Sequence, residues 1–404
     1  MPTAPLAGIR VVELASFVAA PAAGALLADL GAEVIKVEVP WGEMYRHAVP
    51  RLAGFRSDFG LAPHFHMDNR GKRSVVLDLA LPQAAQALRQ LVDRADILLT
   101  NVLPARLARF ELDPAELRAR RPELIVARLS GFGPIGPEAD APAFDYSSYW
   151  ARTGFMDTLH EPDAPPAFQR PGMGDHTASL ALVTGILAAL RQRDRGEGGQ
   201  RVGQVIDVSL QQIGFYVTGN DTAMTLVTGQ TPPRHDRRAA RNPLWNHYPT
   251  RDGRWLFLVM IESDRYWPEL TRALGLEALV RDDRFKDAVA RYRHSAELIR
   301  IFDELFTSEP LDVWKERLSR HRLIWAPVLT LAEAVQDPTA EANGSFPMVQ
   351  HPTEGSFRTV APPLQMSGHA MPGTTPAPAL GADTAAVLRE AGLPEDEVTL
   401  LASV

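Results

Sequence analysis

The alternation that opens the chain constrains its fold more than any other feature. "GIRVVEL" is a short run of mainly aliphatic, β-branched residues, "APAAGALLADLG" is a helical stretch ending on Gly31, and "AEVIKVE" is a second strand. Glycine just past a helix stops it without strain, because it tolerates the left-handed backbone found there. Strand, helix and strand at this spacing form a βαβ unit, whose two strands run parallel. The pattern then repeats. "RSVVLDL" is a strand, "PQAAQALRQLVDRA" a helix with Pro82 in its first turn, "DILLTN" a strand, "DPAELRARRP" a short helix with Asp113 as N-cap, and "LIVARLSGFG" a strand. The repeat predicts a doubly wound α/β domain with a parallel sheet.

Beyond residue 133 the rhythm changes. Residues 134–174 are rich in Pro, Asp and aromatics and lack periodicity, which predicts an ordered connection over the sheet's carboxyl edge. A helix follows Asp175 and stops at the charged, Gly-rich "RQRDRGEGGQ"; "QVIDVSL" is then another strand. The large domain is expected over residues 1–215. Residues 216–250, with "TPPRHDRRAARNP", are expected to be an irregular linker. Residues 251–335 restart with the strand "GRWLFLVM" and three amphipathic helices near 263–274, 294–307 and 309–320, a smaller α+β domain. Residues 336–382 are again Pro-rich and irregular, and a last helix, "GADTAAVLREAG", closes the chain.

Composition removes several function classes. The absence of cysteine excludes disulfides, thiolate catalysis and Cys-ligated metal. A net charge of −7 offers no bulk attraction to polyanions, so no nucleic-acid partner is expected. The longest near-apolar run, Ala178 to Leu190, reads as too short to span a bilayer, and Arg10 and Glu13 interrupt the N-terminal apolar stretch. The expectation is a cytoplasmic protein with no membrane partner.

Individual motifs are weak. The turn "ASFVAAPAAG" lacks G-x-G-x-x-G, which argues against nicotinamide binding although Glu38 ends the second strand where a ribose-binding acid would sit. "HFH" at 64–66 has no clustered carboxylate, so an ordinary loop histidine pair is expected and no metal. "NRGKRS" puts Lys72 and Arg73 after a Gly turn, either as a solvated turn or as a phosphate contact. "NVLPARLARF" puts Asn101 at a strand's carboxyl end and Arg109 beyond it, on the side of a parallel sheet where ligands bind.

"RPGMGDHTASLALVTGILAAL", residues 170–190, poses the sharpest question. Asp175 suits a helix N-cap, and on local physics capping ranks ahead of catalysis. Yet Gly172 and Gly174 remove side chains beside it, which would let a bulky ligand approach. The small residues Ala178, Ala181, Gly185, Ala188 and Ala189 predict very close packing. A carboxylate is a permitted covalent nucleophile and at its ordinary pKa is ionised at neutral pH. His176 is next in sequence, but adjacent helix positions do not face each other, so it is not expected to be a partner.

Several stretches together resemble one family. "PLAGIRVVELASFVAAPAAGALLADLGAEVIKVE", "NRGKRSVVLDL", "ADILLTN", "SGFG", the "GD" of 174–175, and "GILAAL" through "GQVIDVSL" are similar, in order and over nearly the whole chain, to the class III CoA-transferases. That family includes formyl-CoA, carnitine, bile-acid and aryl-lactate CoA-transferases and α-methylacyl-CoA racemase. The resemblance implies a Rossmann-like large domain, a small domain, a C-terminal segment (336–404) returning to the large domain, and an interlocked homodimer. It implies coenzyme A as co-substrate, an acyl-CoA and a carboxylic acid as substrates, no metal, and Asp175 as nucleophile. It implies CoA contacts at Val18, Ala19, Val39, Lys72, Arg73, Leu77, Asn101, Val102, Arg109 and Phe110.

Two departures narrow the reading. Formyl-CoA transferases carry glutamine at the position of Val18 and a glycine-rich loop at "VMIESDRYW", which argues against oxalate or formate. The racemases use a histidine at the position of Phe144, and racemisation needs two proton-carrying groups, which favours transfer. "NPLWNHYPTRDGRW" with "DRYWPEL" is most similar to the bile-acid and aryl-lactate branch, which hints at a larger, less polar acyl group. A 2-methylacyl-CoA racemase and a CoA-binding protein without catalysis remain the alternatives.

Overall fold

Six strands, β1 (Arg10–Leu14), β2 (Glu33–Glu38), β3 (Arg73–Val76), β4 (Ile97–Thr100), β5 (Ile125–Ser130) and β6 (Val205–Ser209), form one all-parallel sheet in the order 3-2-1-4-5-6. This is the doubly wound order. The computed structural model describes residues 4–52, 54–196, 200–371 and 373–403. The sheet residues Val11, Val12, Val34, Ile35, Ile97, Leu98, Ile125 and Val126 are buried, as a sheet covered on both faces requires.

In chain order the helices of this region are α1 (Ala19–Asp29), α2 (Pro63–Asn69), α3 (Pro82–Val92), α4 (Pro104–Arg109), α5 (Pro114–Arg120), the single turn α6 (Phe155–Thr158), α7 (Met173–Arg195), α8 (Leu210–Val217) and α9 (Gly219–Thr228). Asp113 caps α5 as expected, accepting from the Ala115 and Glu116 N–H groups. The small residues of α7 do permit close packing: the helix lies on α1, β5 and β6, and a Cβ at Gly185 would stand 2.8 Å from Ile206. The charged stop after α7 falls partly outside the described residues.

Internal packing divides the chain into two units. One comprises Met1–Met156, Phe168–Gln230 and Pro338–Val404 and holds the parallel sheet. The other comprises Asp157–Ala167 and Thr231–Asp337. Its antiparallel sheet, β7 (Trp245–Pro249), β8 (Trp255–Val259) and β9 (Trp325–Pro327), packs with α10 (Ser263–Leu274), α11 (Ala288–Arg293), α12 (Ser295–Phe306) and α13 (Leu311–Ser319), and α14 (Leu331–Ala334) follows. Tyr248, Leu256, Leu258, Trp267, Phe302, Phe306 and Trp314 fill its core. The expected irregular linker at 216–250 in fact contains α9 and β7. Helix α9 buries none of its residues within this chain.

The C-terminal stretch carries α15 (Pro338–Ala342), the hairpin strands β10 (Met348–His351) and β11 (Gly355–Arg358), α16 (Thr384–Glu390) and α17 (Glu395–Ala402). The hairpin interrupts a stretch expected to be irregular. Val387, Leu388, Val398 and Leu401 join the core of the parallel-sheet unit, and the Val76 N–H donates to Thr384 Oγ1 at 3.0 Å.

The bilayer reading of α7 also changes. At 23 residues the helix is long and apolar enough to cross a membrane by length and composition. What distinguishes it is its packing on α1 and the sheet, not a shortage of length.

Candidate active site

The strand order reverses between β1 and β4, and the loops after these two strands diverge to leave a crevice at their carboxyl ends. The loop after β1 is held from several sides. The Ser16 N–H donates to Asn101 Oδ1 at 3.2 Å, and Asn101 Nδ2 donates back to the Ser16 carbonyl at 2.8 Å. Phe17 adopts φ = +66°, a costly backbone for a bulky residue, and its N–H donates to Glu43 Oε2 at 2.6 Å. Glu43 pairs with Lys36 at 2.9 Å, Lys36 with Glu13 at 2.9 Å, and Glu13 with Lys72 at 2.7 Å. This chain of buried charges ties the strained loop to strands β1 and β2.

Two cavities meet at this loop, sharing Ser16 and Phe17. The first, about 440 Å³, is lined by Val18, Ala19, Asn101, Phe144 and Asp175 among others. The second, about 410 Å³, is lined by Val39, Val102, Arg106 and Phe110 among others. The rings of Phe17 and Phe144 meet edge to face at 5.2 Å. Helix α1 begins at Ala19 without a side-chain cap, so its first N–H groups are free of a capping side chain on the wall of the first cavity.

Asp175 sits in the first turn of α7 but is not its cap. The N-cap is Gly172, with φ = +79°, and Asp145 Oδ2 accepts the Gly174 N–H at 3.2 Å. Burial first, and the neighbouring Asp145 carboxylate second, push the Asp175 carboxyl up to about 7. Tyr45 lies nearby; burial and the carboxylates of Asp68 and Asp175 push its phenol up as well.

The glycines also stand against neighbouring side chains. A Cβ at Gly174 would stand 2.6 Å from the Tyr149 ring, and one at Gly172 would stand 3.2 Å from the His176 ring. Protein side chains stand in both spaces.

Of the residues expected to contact CoA, the structure brings Val18, Ala19 and Asn101 to the first cavity and Val39, Val102 and Phe110 to the second. The others lie elsewhere. Lys72 is fully buried on Glu13, the Pro21 carbonyl and Asn69. Arg73 stands at the amino end of β3, paired with Glu33 at 2.6 Å and Glu390 at 2.7 Å, on the edge opposite the crevice. Leu77 belongs to the hydrophobic core. Arg109 is exposed and lines neither cavity; Arg106, one helical turn earlier, does. The "HFH" histidines lie on helix α2 rather than in a loop, where His66 Nδ1 accepts the Ala377 N–H at 3.3 Å.

Residues 6–384 match CoA-transferase family III. The chain belongs to this family. It is similar to the (R)-2-hydroxy-4-methylpentanoate CoA-transferase of Clostridioides difficile, 30% identical over 393 residues and covering 97% of both chains. It is similar to the succinate–glutarate CoA-transferase of Agrobacterium fabrum, 33% identical over 398 residues, 96% of this chain and 95% of that one. Its fold matches the crystal structure of a CAIB/BAIF family protein from Brucella suis with a TM-score of 0.83 at 30% identity, covering 96% and 100% of the two chains. The protein is a class III CoA-transferase, an enzyme class that uses CoA as co-substrate.

Other residues near the site carry no signal in the sequence. Asp145, Asp68, Tyr45 and Arg106 reach the site from separate elements, and no local pattern marks them. Adjacent helix positions do not face each other, so His176 is not expected to partner Asp175; its ring meets Asp68, Nε2 to Oδ1 at 3.1 Å.

Proposed function

We propose that the enzyme moves CoA from a donor acyl-CoA to an acceptor carboxylic acid through covalent intermediates on Asp175. The Asp175 carboxylate attacks the thioester carbonyl, the C–S bond breaks, and a mixed aspartyl anhydride and CoA thiolate result. The thiolate attacks the aspartyl carbonyl of the anhydride, releasing the donor acid and leaving an aspartyl-CoA thioester. The acceptor carboxylate then attacks that thioester, giving a second anhydride and the thiolate. The thiolate attacks the acceptor's acyl carbon, so product acyl-CoA leaves and Asp175 is restored. Each step exchanges one activated acyl group for another, so no ATP is consumed. Keeping the thiolate in place makes its return effectively intramolecular.

The observation that carries this reading is the position of Asp175 on the wall of a cavity at the sheet's switch point, beside the uncapped start of α1. The N–H groups there are the candidate donors to each tetrahedral oxyanion. CoA would run along both cavities, with Val18, Ala19 and Asn101 near the thioester and Val39, Val102, Phe110 and Arg106 toward the nucleotide. Phe144, which lines the first cavity, carries no transferable proton, which supports transfer over racemisation. Tyr216, Met224, Leu226 and Val227, exposed on and beside α9, support a homodimer in which a second copy covers them.

The test is mass spectrometry of the protein mixed with a panel of acyl-CoAs. An acyl or CoA adduct on the peptide containing Asp175, trapped by hydroxylamine and absent from Asp175→Asn, is the expected result. Solvent deuterium entering the α-carbon with no adduct and no CoA exchange would support racemisation instead.

A further inference from the structure

The turn that joins β1 to α1 holds a conformation its own sequence does not favour. Phe17 has φ = +66°, in the left-handed region that bulky side chains avoid. Such a backbone persists only where its neighbours impose it. Here two distant side chains do so. Glu43 Oε2 accepts the Phe17 N–H at 2.6 Å. Asn101 brackets Ser16, accepting its N–H at 3.2 Å and donating to its carbonyl at 2.8 Å. Asn101 follows β4 and Glu43 follows β2, so the turn is anchored to the strands on either side of β1.

Glu43 is itself held. Lys36 Nζ lies 2.9 Å from Glu43 Oε1, with both side chains buried, and the Glu43 N–H donates to Glu38 Oε2 at 3.3 Å. Burying a carboxylate is costly. An apolar side chain would fill the same place at less cost but could not accept the Phe17 N–H. What the turn presents lies on the site. The Phe17 ring lines both cavities and meets Tyr45 at 6.3 Å as well as Phe144 at 5.2 Å. Val18 and Ala19, on the wall of the first cavity with Asp175, follow directly, and α1 starts there without a capping side chain. Relaxation of Phe17 to negative φ would swing the ring and re-aim the N–H groups after it.

We propose that Glu43 is a positioning residue for CoA transfer: through the Phe17 N–H it holds the strained turn, and the turn aims the N–H groups at the start of α1 into the first cavity. Asn101 is the second anchor. The proposal rests on the reading of Asp175 as nucleophile and of those N–H groups as oxyanion donors. In this role Glu43 touches neither the acyl group nor the thiolate.

Two variants separate the acceptor from the charge. Glu43→Gln keeps an acceptor for the Phe17 N–H and removes the charge beside Lys36; Glu43→Ala removes both. With whichever acyl-CoA of the panel reacts fastest, Glu43→Ala is expected to lower kcat about thirtyfold with donor KM within about threefold, and Glu43→Gln to keep kcat within about threefold. Phe17→Gly takes this backbone without strain, so in that background Glu43→Ala is expected to lower kcat by less than about fivefold. Asn101→Ala leaves the buried charges in place and is expected to lower kcat about tenfold, which carries the test if Glu43→Ala does not fold. Hydrogen exchange over residues 15–18, followed by mass spectrometry, reads the turn without any chemistry. It is expected to be slow in the native protein and in Glu43→Gln, and faster in Glu43→Ala. Equal losses of kcat in the two Glu43 variants, a rise in KM at unchanged kcat, or faster exchange with kcat unchanged each overturn the proposal. If the native protein transfers no CoA from any donor, the reading of Asp175 fails and this proposal falls with it; exchange that Glu43→Ala still accelerates then shows an anchor that is structural alone.

Discussion

Asp145 Oδ2 accepts the Gly174 N–H at 3.2 Å, so the start of α7 is capped by a carboxylate from 29 positions earlier in the chain. Gln169 Nε2 donates to the same oxygen. The cap thus places a negative charge beside Asp175. Asp145→Asn keeps an acceptor but removes that charge. It should move the acid limb of the transfer rate to lower pH, with stability falling by less than about 1 kcal/mol in urea unfolding. Asp145→Ala should lose the cap as well, at a cost of about 1–2 kcal/mol.

The raised proton affinity of Asp175 also links stability to pH. Its folded value is about 7 against an ordinary 3.8, so between these values the folded state binds a proton that the unfolded chain has released. The contribution is fully present below about pH 4 and is lost as pH rises through 7. Asp175→Asn should therefore match the native protein near pH 4 and exceed it by on the order of 2 kcal/mol near pH 8. Urea denaturation at the two pH values measures this, and equal differences at both would contradict it.

Lys72 offers a direct contrast between a ligand role and a structural one. Its Nζ lies 2.7 Å from Glu13 Oε2, and both side chains are fully buried. Lys72→Met leaves part of the Glu13 charge unpaired and should cost about 3 kcal/mol. Where the variant is still folded, calorimetry should find its CoA affinity within about twofold of native. A large loss of affinity with unchanged stability would restore Lys72 as a phosphate contact.

Arg106 and Arg109 should separate in the same assay. Arg106 lines the second cavity, with its guanidinium 5.9 Å from the centre of the Phe110 ring. Arg106→Ala should weaken CoA binding about tenfold and flatten its salt dependence, as loss of a phosphate-side charge does. Arg109→Ala should change it by less than about twofold.

Gly174→Ala tests what the glycine is for. A Cβ there meets the Tyr149 ring at 2.6 Å, a distance at which something must shift. The substitution should destabilise the protein by about 1–3 kcal/mol in thermal or urea unfolding. A neutral effect on stability with impaired acyl-CoA binding would favour a ligand-admitting role.

Much of this protein was legible in its sequence because the decisive signals are local. The succession "GIRVVEL", "APAAGALLADLG", "AEVIKVE" reports strand, helix and strand through the spacing of apolar residues and the Gly31 stop. Asp175 stood out because it opens a helix of small residues. Asn101 could be placed near a ligand because it follows a parallel strand at its carboxyl end, whereas Val18 and Ala19 were implied only by the family resemblance. Helix α9 and strand β7 were not legible: α9 buries nothing within this chain, and β7 has only a short antiparallel partner to define it.

The sequence by itself determined the order of elements, the parallel sheet and the carboxylate at the head of α7, because these follow from periodicity and turn chemistry within a few residues. Only the tertiary structure decided what surrounds that carboxylate. It brought Asp145 to the helix start, Asp68 to His176, Glu13 to Lys72 and Tyr149 to the space at Gly174. Each of these pairings spans at least 25 positions, and local pattern carries no record of which distant side chain will fill a given space or meet a given charge.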